Sequence, residues 1–306
     1  MGRLRRAAIR CATRSGAWFV VGLLVVGSRL DPATAADSAS PRPEYRRWLE
    51  IPLLAGGAAV VAGGIASSPD RELVPDAGLD PAAIRLAFDR NIVGNRDVDA
   101  NSASNIVRNA AIALPFVLSF VSAPQGERCR APLDRTLLFV ESVALSAGVG
   151  AIAKSVVSRP RPYTYLSASD RPAHPRYDVD EDRTFESMPS GHAITSWCAA
   201  SFGVVDHLFT RPAAGWKEQA AVGFAGGALA TTTSVLRVEA GQHFPSDVAA
   251  GACIGIAGGV TIPLLHRYVL SGERAPSPSR ASWLAAAAGM AAGTGIALLV
   301  NATVGP

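Results

Sequence analysis

The chain has 306 residues, 49% of them hydrophobic and 18% charged, which excludes disorder as its main state and allows one or two domains with a large buried core. Its net charge of +4 does not mark a nucleic-acid binder, because the excess sits at the amino terminus. Six of the 29 basic residues (Arg3, Arg5, Arg6, Arg10, Arg14 and Arg29) precede Ala36 against one acid, Asp31, and the remainder holds 23 basic and 24 acidic residues.

In chain order, the arginine cluster leads into an apolar run, Ala17 to Gly27, and then into Ala33-Thr34-Ala35, small residues of the kind a signal peptidase cuts after. Residues 1–35 read as an export signal, with an uncleaved anchor as the alternative. Residues 36–103 read as an exported segment with one apolar helix, 51–67. Its polar part, 68–105, contains Pro69, Pro75 and Pro81 and room for a short helix around Ala82 to Asn91.

Further apolar stretches follow at Ile106 to Ala123, Leu137 to Ala153, Ala193 to Phe209, Ala220 to Leu236, Val248 to Leu270 and Trp283 to Val300. Each is about as long as a bilayer-spanning helix and rich in Gly, Ala and Ser, which let helices approach closely. Strand-like alternation is scarce, so the class is all-α: a bundle of about six membrane-type helices. A core at 104–270 and a C-terminal loop with an additional helix at 271–306 complete the division. Because the mean hydropathy is only +0.22, a fully exported, soluble or peripheral helical globule is the alternative.

Basic residues set the expected topology. Arg128, Arg130 and Arg135, then Arg211 and Lys217, then Arg267, Arg274 and Arg280 fall in alternate connections, as cytoplasmic loops do. The loops at roughly 154–192 and 237–247 then face outward, which in a bacterium is the periplasmic side of the inner membrane. Parity requires that either the signal or the 51–67 stretch does not span. Of the four cysteines, Cys11, Cys129, Cys198 and Cys253, none forms a Cys-x-x-Cys pair, so neither a disulfide framework nor a zinc site is indicated.

Three polar clusters stand at outward helix ends. Lys154 is followed by Arg161-Pro162, two cations beside a rigid turn, suited to an anion with several oxygens. Arg159-Pro160 repeats the pattern, so spacing leaves the choice of arginine open. Pro189-Ser190-Gly191-His192 precedes the helix from Ala193; free N–H groups at a helix start beside glycine make an anion cradle, and Ser190 can cap. Arg237, His243 and Asp247 form the third cluster. His and Asp four apart share a helix face, so the carboxylate can accept from one imidazole nitrogen and leave the other free. Three cations, a helix-start anion site and two histidines, one of them held by a carboxylate, make an inventory for phosphoryl transfer without a metal.

These clusters resemble the motifs of the type 2 phosphatidic acid phosphatase family, whose superfamily includes bacterial non-specific acid phosphatases and vanadium haloperoxidases. The match runs through Lys154, Arg161-Pro162, Pro189 to His192, Arg237, His243 and Asp247; Leu236 stands where the family has serine. The resemblance implies an acid phosphatase/haloperoxidase-like helical fold, with His243 as a nucleophile forming phosphohistidine. It makes Asp247 the residue that orients His243, and His192 the general acid. It also implies phosphate binding by Lys154, Arg161, Ser190, Gly191 and Arg237, and no metal or other cofactor. The implied partners are the bilayer and a phosphorylated lipid of the phosphatidate, isoprenyl diphosphate or lipid A type. A vanadate-dependent haloperoxidase and a non-catalytic lipid-phosphate transporter are the competing readings.

Outside the motifs, Asp178, Asp180, Glu181 and Asp182 read as a solvated acidic loop. Glu141 and Asp206, inside apolar stretches, are expected to pair with loop cations. Arg108, near an outward helix end, can reach the site or snorkel to the interface, and snorkelling is the favoured reading.

Overall fold

The computed structural model describes residues 73–122, 130–270 and 277–304, so the expected signal and the 51–67 stretch lie outside the described residues. Among these residues the secondary structure is helical: α1 (Ala87–Arg90), α2 (Val98–Val121), α3 (Arg130–Val157), α4 (Gly191–Thr210), α5 (Trp216–Glu239), α6 (Pro245–Leu265) and α7 (Arg280–Val304). A π-helical turn, His266–Leu270, continues α6. The long helices each begin before the expected apolar stretch, and at two of them a polar side chain caps the start. At α2 the Asp97 carboxylate accepts from the N–H groups of Asp99 and Ala100, and at α4 Ser190 Oγ accepts from Ala193 N–H.

The helix expected around Ala82 to Asn91 is two pieces instead. A 3-10 turn at Pro81–Ala83, capped by Asp80, ends at an extended Ile84, and α1 begins only at Ala87. Capping by a short acid just before a proline closes one turn, and the extended backbone at Ile84 and Leu86 prevents its continuation.

Helix α4 is the centre of the bundle, packed by α2, α3, α5 and α6. Its Val204 and Leu208 meet Ala111, Leu114 and Leu118 of α2 and Val222 and Leu229 of α5 in one core. Its Ala199 and Phe202 meet Leu138 and Phe139 of α3 in another, with the Phe139 and Phe202 rings 5.2 Å apart. Burying side chains of this size stabilises by roughly 1.5–3 kcal/mol each in water-referenced terms.

Two glycine seams set the helix spacing. On α6, Gly251, Gly255 and Gly259 lie one turn apart and face α4 backbone at Ser190, Ile194 and Cys198, where an added Cβ would collide. Between α5 and α7, Gly223 and Gly227 face Ala286 and Met290, while Gly289 and Gly293 face Ala220 and Phe224. Both seams follow the small-x-x-x-small pattern that brings backbones into contact without an apolar driving force.

Among the described residues, five helical segments are long and apolar enough to cross a membrane: Val98–Val121, Pro132–Tyr165, Trp216–Glu239, Pro245–Tyr268 and Arg280–Thr303. Large apolar side chains, among them Ile106, Phe120, Val149, Val156, Leu284 and Leu299, project outward from α2, α3 and α7. At the end of the bundle holding the start of α5, Arg135 approaches Asp206 at 3.7 Å and Arg211 Nε lies 2.8 Å from Glu218. Asp206 thus pairs with a cation as expected, whereas Glu141 takes His266 Nε2 at 3.0 Å.

Candidate active site

The other end of the bundle collects the end of α3, the start of α4, the end of α5 and the start of α6, joined by loops that fold back over it. Tyr163, Leu166 and Tyr177 form a small apolar cluster in the 158–190 connection. Tyr177 Oη donates to the Ala240 carbonyl at 2.8 Å, and burial pushes its phenol up to about 12, so it stays neutral. Residues before α2 tie in as well: Asn95 donates to Val238, and Asp97 N–H to Glu239.

After α5, Gly241 turns the chain in a left-handed conformation with φ of +63°. A side chain there would strike the Asn95 carbonyl, so glycine is required twice over. The turn brings His243 back beneath Arg161. Its Nδ1 donates to the Ser187 carbonyl at 2.7 Å, and its Nε2 lies 3.5 Å from Arg161 Nη1. His243 is 2% exposed. Burial, reinforced by Arg161, Arg237 and Lys154, pushes it well below the usual histidine range, so it is neutral, with its Nε2 lone pair facing the Arg161 guanidinium.

The expected direct hydrogen bond from His243 to Asp247 is absent, because the Ser187 carbonyl occupies that direction. The nearest carboxylate oxygen of Asp247 is 3.9 Å from Nδ1. Asp247 acts one step back: its Oδ2 accepts from Ser187 Oγ at 2.5 Å and from Phe244 N–H at 2.8 Å. It therefore holds the residues on both sides of the imidazole. Its own backbone carbonyl accepts from Ser190 N–H at 3.0 Å, which joins the start of α6 to that of α4.

The two arginines of the Arg159-Pro160-Arg161-Pro162 run separate. Arg161 Nε donates to the Arg183 carbonyl and Nη1 to the Gln242 carbonyl, which leaves its guanidinium beside His243. Arg159 turns the other way, donating to Asp247 Oδ1 at 2.6 Å and Asp89 Oδ2 at 2.9 Å while lying over the Phe244 ring. Asp89, fully buried in α1, also accepts from the Ser246 N–H and hydroxyl.

Lys154 Nζ lies 3.7 Å from Glu186 and acts electrostatically on both His192 and His243. Arg237 Nη1 donates to Asn101 Oδ1 at 2.6 Å and reaches Ser104 Oγ at 3.4 Å, so α2 supplies the polar partners beside Leu236. Gly191 and His192 open α4, and a Cβ built on Gly191 meets nothing within 4 Å, leaving room for an oxyanion over the free N–H groups. The structure thus brings Lys154, Arg161, Ser190, Gly191, His192, Arg237, His243 and Asp247 to one bundle end.

Sequence reasoning missed Asn101, Ser104 and Asn105, and for Arg108 it favoured snorkelling over reaching the site. His192 Nε2 is 2.9 Å from Asn105 Oδ1 and 3.2 Å from Arg108 Nη1, so Arg108 points into the site instead of snorkelling. The available signal was the spacing of these four along α2, three, four and seven residues on from Asn101, a polar stripe on an otherwise apolar helix. Asp89 and Ser187 carried no such signal. Among the described residues no group of three or more His, Cys, Asp or Glu could hold a metal ion.

Comparison with known proteins agrees with this geometry. Residues 135–271 match the PAP2 superfamily. An undecaprenyl-diphosphatase of Sulfolobus acidocaldarius is 30% identical over 119 residues, 39% of this chain and 49% of the relative. The chain therefore spans about half the length of the curated relative it matches. No solved structure matches it. The motif residues lie inside 135–271, except that Leu236 replaces the serine, so it is this segment of the chain that matches the PAP2 superfamily.

Proposed function

We propose that this protein is a membrane phosphatase that hydrolyses the phosphate or diphosphate ester of a lipid, an isoprenyl diphosphate fitting best. The observation that carries the reading is the convergence of two imidazoles, His243 and His192, with the cations Lys154, Arg161 and Arg237 at the end of an apolar bundle. An apolar tail can stay in hydrocarbon while its headgroup reaches the cations. The relative's name, an undecaprenyl-diphosphatase, supports the isoprenyl choice.

In this reading the cations and the α4 N–H groups hold the phosphoryl oxygens and spread their charge. Neutral His243 attacks phosphorus through Nε2, with Nδ1 fixed by the Ser187 carbonyl. His192 protonates the departing oxygen. Burial and the surrounding guanidinium groups, Arg237 foremost, push His192 below its usual range, so it takes up its proton with the phosphate anion. Water then releases phosphate from the phosphohistidine. The basic residues at the opposite end support a cytoplasmic position for that end and an exported, periplasmic position for the site.

The test is phosphate release by the full chain in detergent from phosphatidate, isoprenyl phosphates and diphosphates and soluble esters, with chelator present. Wild type should act on the lipids despite chelator, and His243→Ala should lose on the order of 10⁴-fold or more. Turnover that survives His243→Ala sinks the assignment.

A further inference from the structure

The three motif cations do not exhaust the positive charge at the site. Arg108, on α2 and outside the family match, carries its guanidinium to the far side of His192. Its Nε and Nη2 both donate to Asn109 Oδ1, at 3.3 and 3.0 Å. Its Nη1 faces His192 Nε2, the atom that also meets Asn105 Oδ1. When Nε2–H donates to Asn105, the Arg108 N–H faces another N–H and has no acceptor there. No carboxylate among the described residues forms an ion pair with Arg108. Arg176, in the Pro175–Tyr177 turn, adds positive charge that acts electrostatically on Arg108 and Arg237.

We infer that Arg108, with the added charge of Arg176, is a binding subsite for the leaving phosphate of a diphosphate ester. This rests on the phosphatase reading and adds a specificity residue to it. Attack of His243 Nε2 on the terminal phosphorus breaks its bond to the bridging oxygen, and the electron pair stays on that oxygen. His192 protonates that oxygen, and the leaving group is a phosphate monoester whose remaining anionic oxygens lie on the His192 side, where Arg108 stands. Water then cleaves the phosphohistidine to inorganic phosphate and restores neutral His243. A monophosphate ester places an alkyl chain at the same position and leaves Arg108 without an acceptor. A guanidinium so placed discriminates between the two substrates through a charge-assisted hydrogen bond.

The test compares wild type, Arg108→Gln and Arg108→Lys, as full chains in detergent, on two matched pairs: farnesyl diphosphate against farnesyl phosphate, and ADP against AMP. The readout is the ratio of diphosphate to monophosphate kcat/KM. Arg108→Gln should lower it about tenfold or more, and Arg108→Lys should restore part of it. A fall on the prenyl pair alone assigns the subsite to a lipid headgroup, and a fall on both assigns it to diphosphate chemistry at large. An unchanged ratio on both pairs overturns the proposal. Titration with methylenediphosphonate and inorganic phosphate reads the subsite without turnover. Wild type should favour the diphosphonate and Arg108→Gln should lose that preference, whereas equal preference in both proteins rejects the subsite. A chain that hydrolyses none of the four esters refutes the phosphatase reading, and the titration then decides the subsite separately.

Discussion

His243 has its Nδ1 proton on a peptide carbonyl and Asp247 one residue removed, so substitutions around it should act through different routes. Arg159 lies between two fully buried carboxylates, Asp89 and Asp247. Arg159→Ala leaves both uncompensated and should cost about 3–5 kcal/mol, read as a lower denaturation midpoint in detergent. The pH dependence follows from His243, whose folded pKa is depressed. The unfolded chain binds its proton near pH 6.5, the folded chain only at lower pH, so stability from this group is complete above about 6.5 and lost as pH falls below it. The free enzyme should likewise keep a neutral nucleophile below the usual histidine range. The acid limb of kcat/KM should then lie below the usual histidine range, and a limb that follows an ordinary histidine would contradict the burial of His243.

Helices α4 and α6 carry the anion cradle and the His243 loop on their first turns, so the spacing between them sets the site. Gly255 touches α4 backbone at Ile194 and Cys198. Gly255→Leu should destabilise by roughly 1–3 kcal/mol through overpacking and lower phosphatase activity with it. Gly295 on α7 has open space where its Cβ would be, so Gly295→Ala should be neutral or stabilising by up to about 1 kcal/mol. At this scale the long helices were legible, because each contains a long apolar run rich in small residues. The break at Ile84 was not, since the residues from Ala82 to Asn91 satisfy helix composition and only the Asp80 cap and extended backbone decide against it.

Across the whole molecule, cations gather at both ends but do different work. Arg135 and Arg211 are matched by acids, while the other end leaves Arg108, Arg161 and Arg237 bonded mainly to neutral groups. If the first set faces the cytoplasm, Ala173→Cys, in the loop beside the site, should react with a membrane-impermeant maleimide in intact cells, in a background lacking the native cysteines. Ala213→Cys, between α4 and α5, should react only after permeabilisation. The reversed pattern would put the site inside.

By itself, the sequence determined the helical class, the apolar spans and the motif residues from Lys154 to Asp247, because span length, capping and local spacing are written along the chain. Tertiary structure decided which of Arg159 and Arg161 faces His243, that Ser187 takes its Nδ1 proton, and that Arg108 reaches His192. Those contacts join residues as far apart as 88 positions. Side-chain direction at such separations depends on how closely the helices pack, which no local pattern encodes.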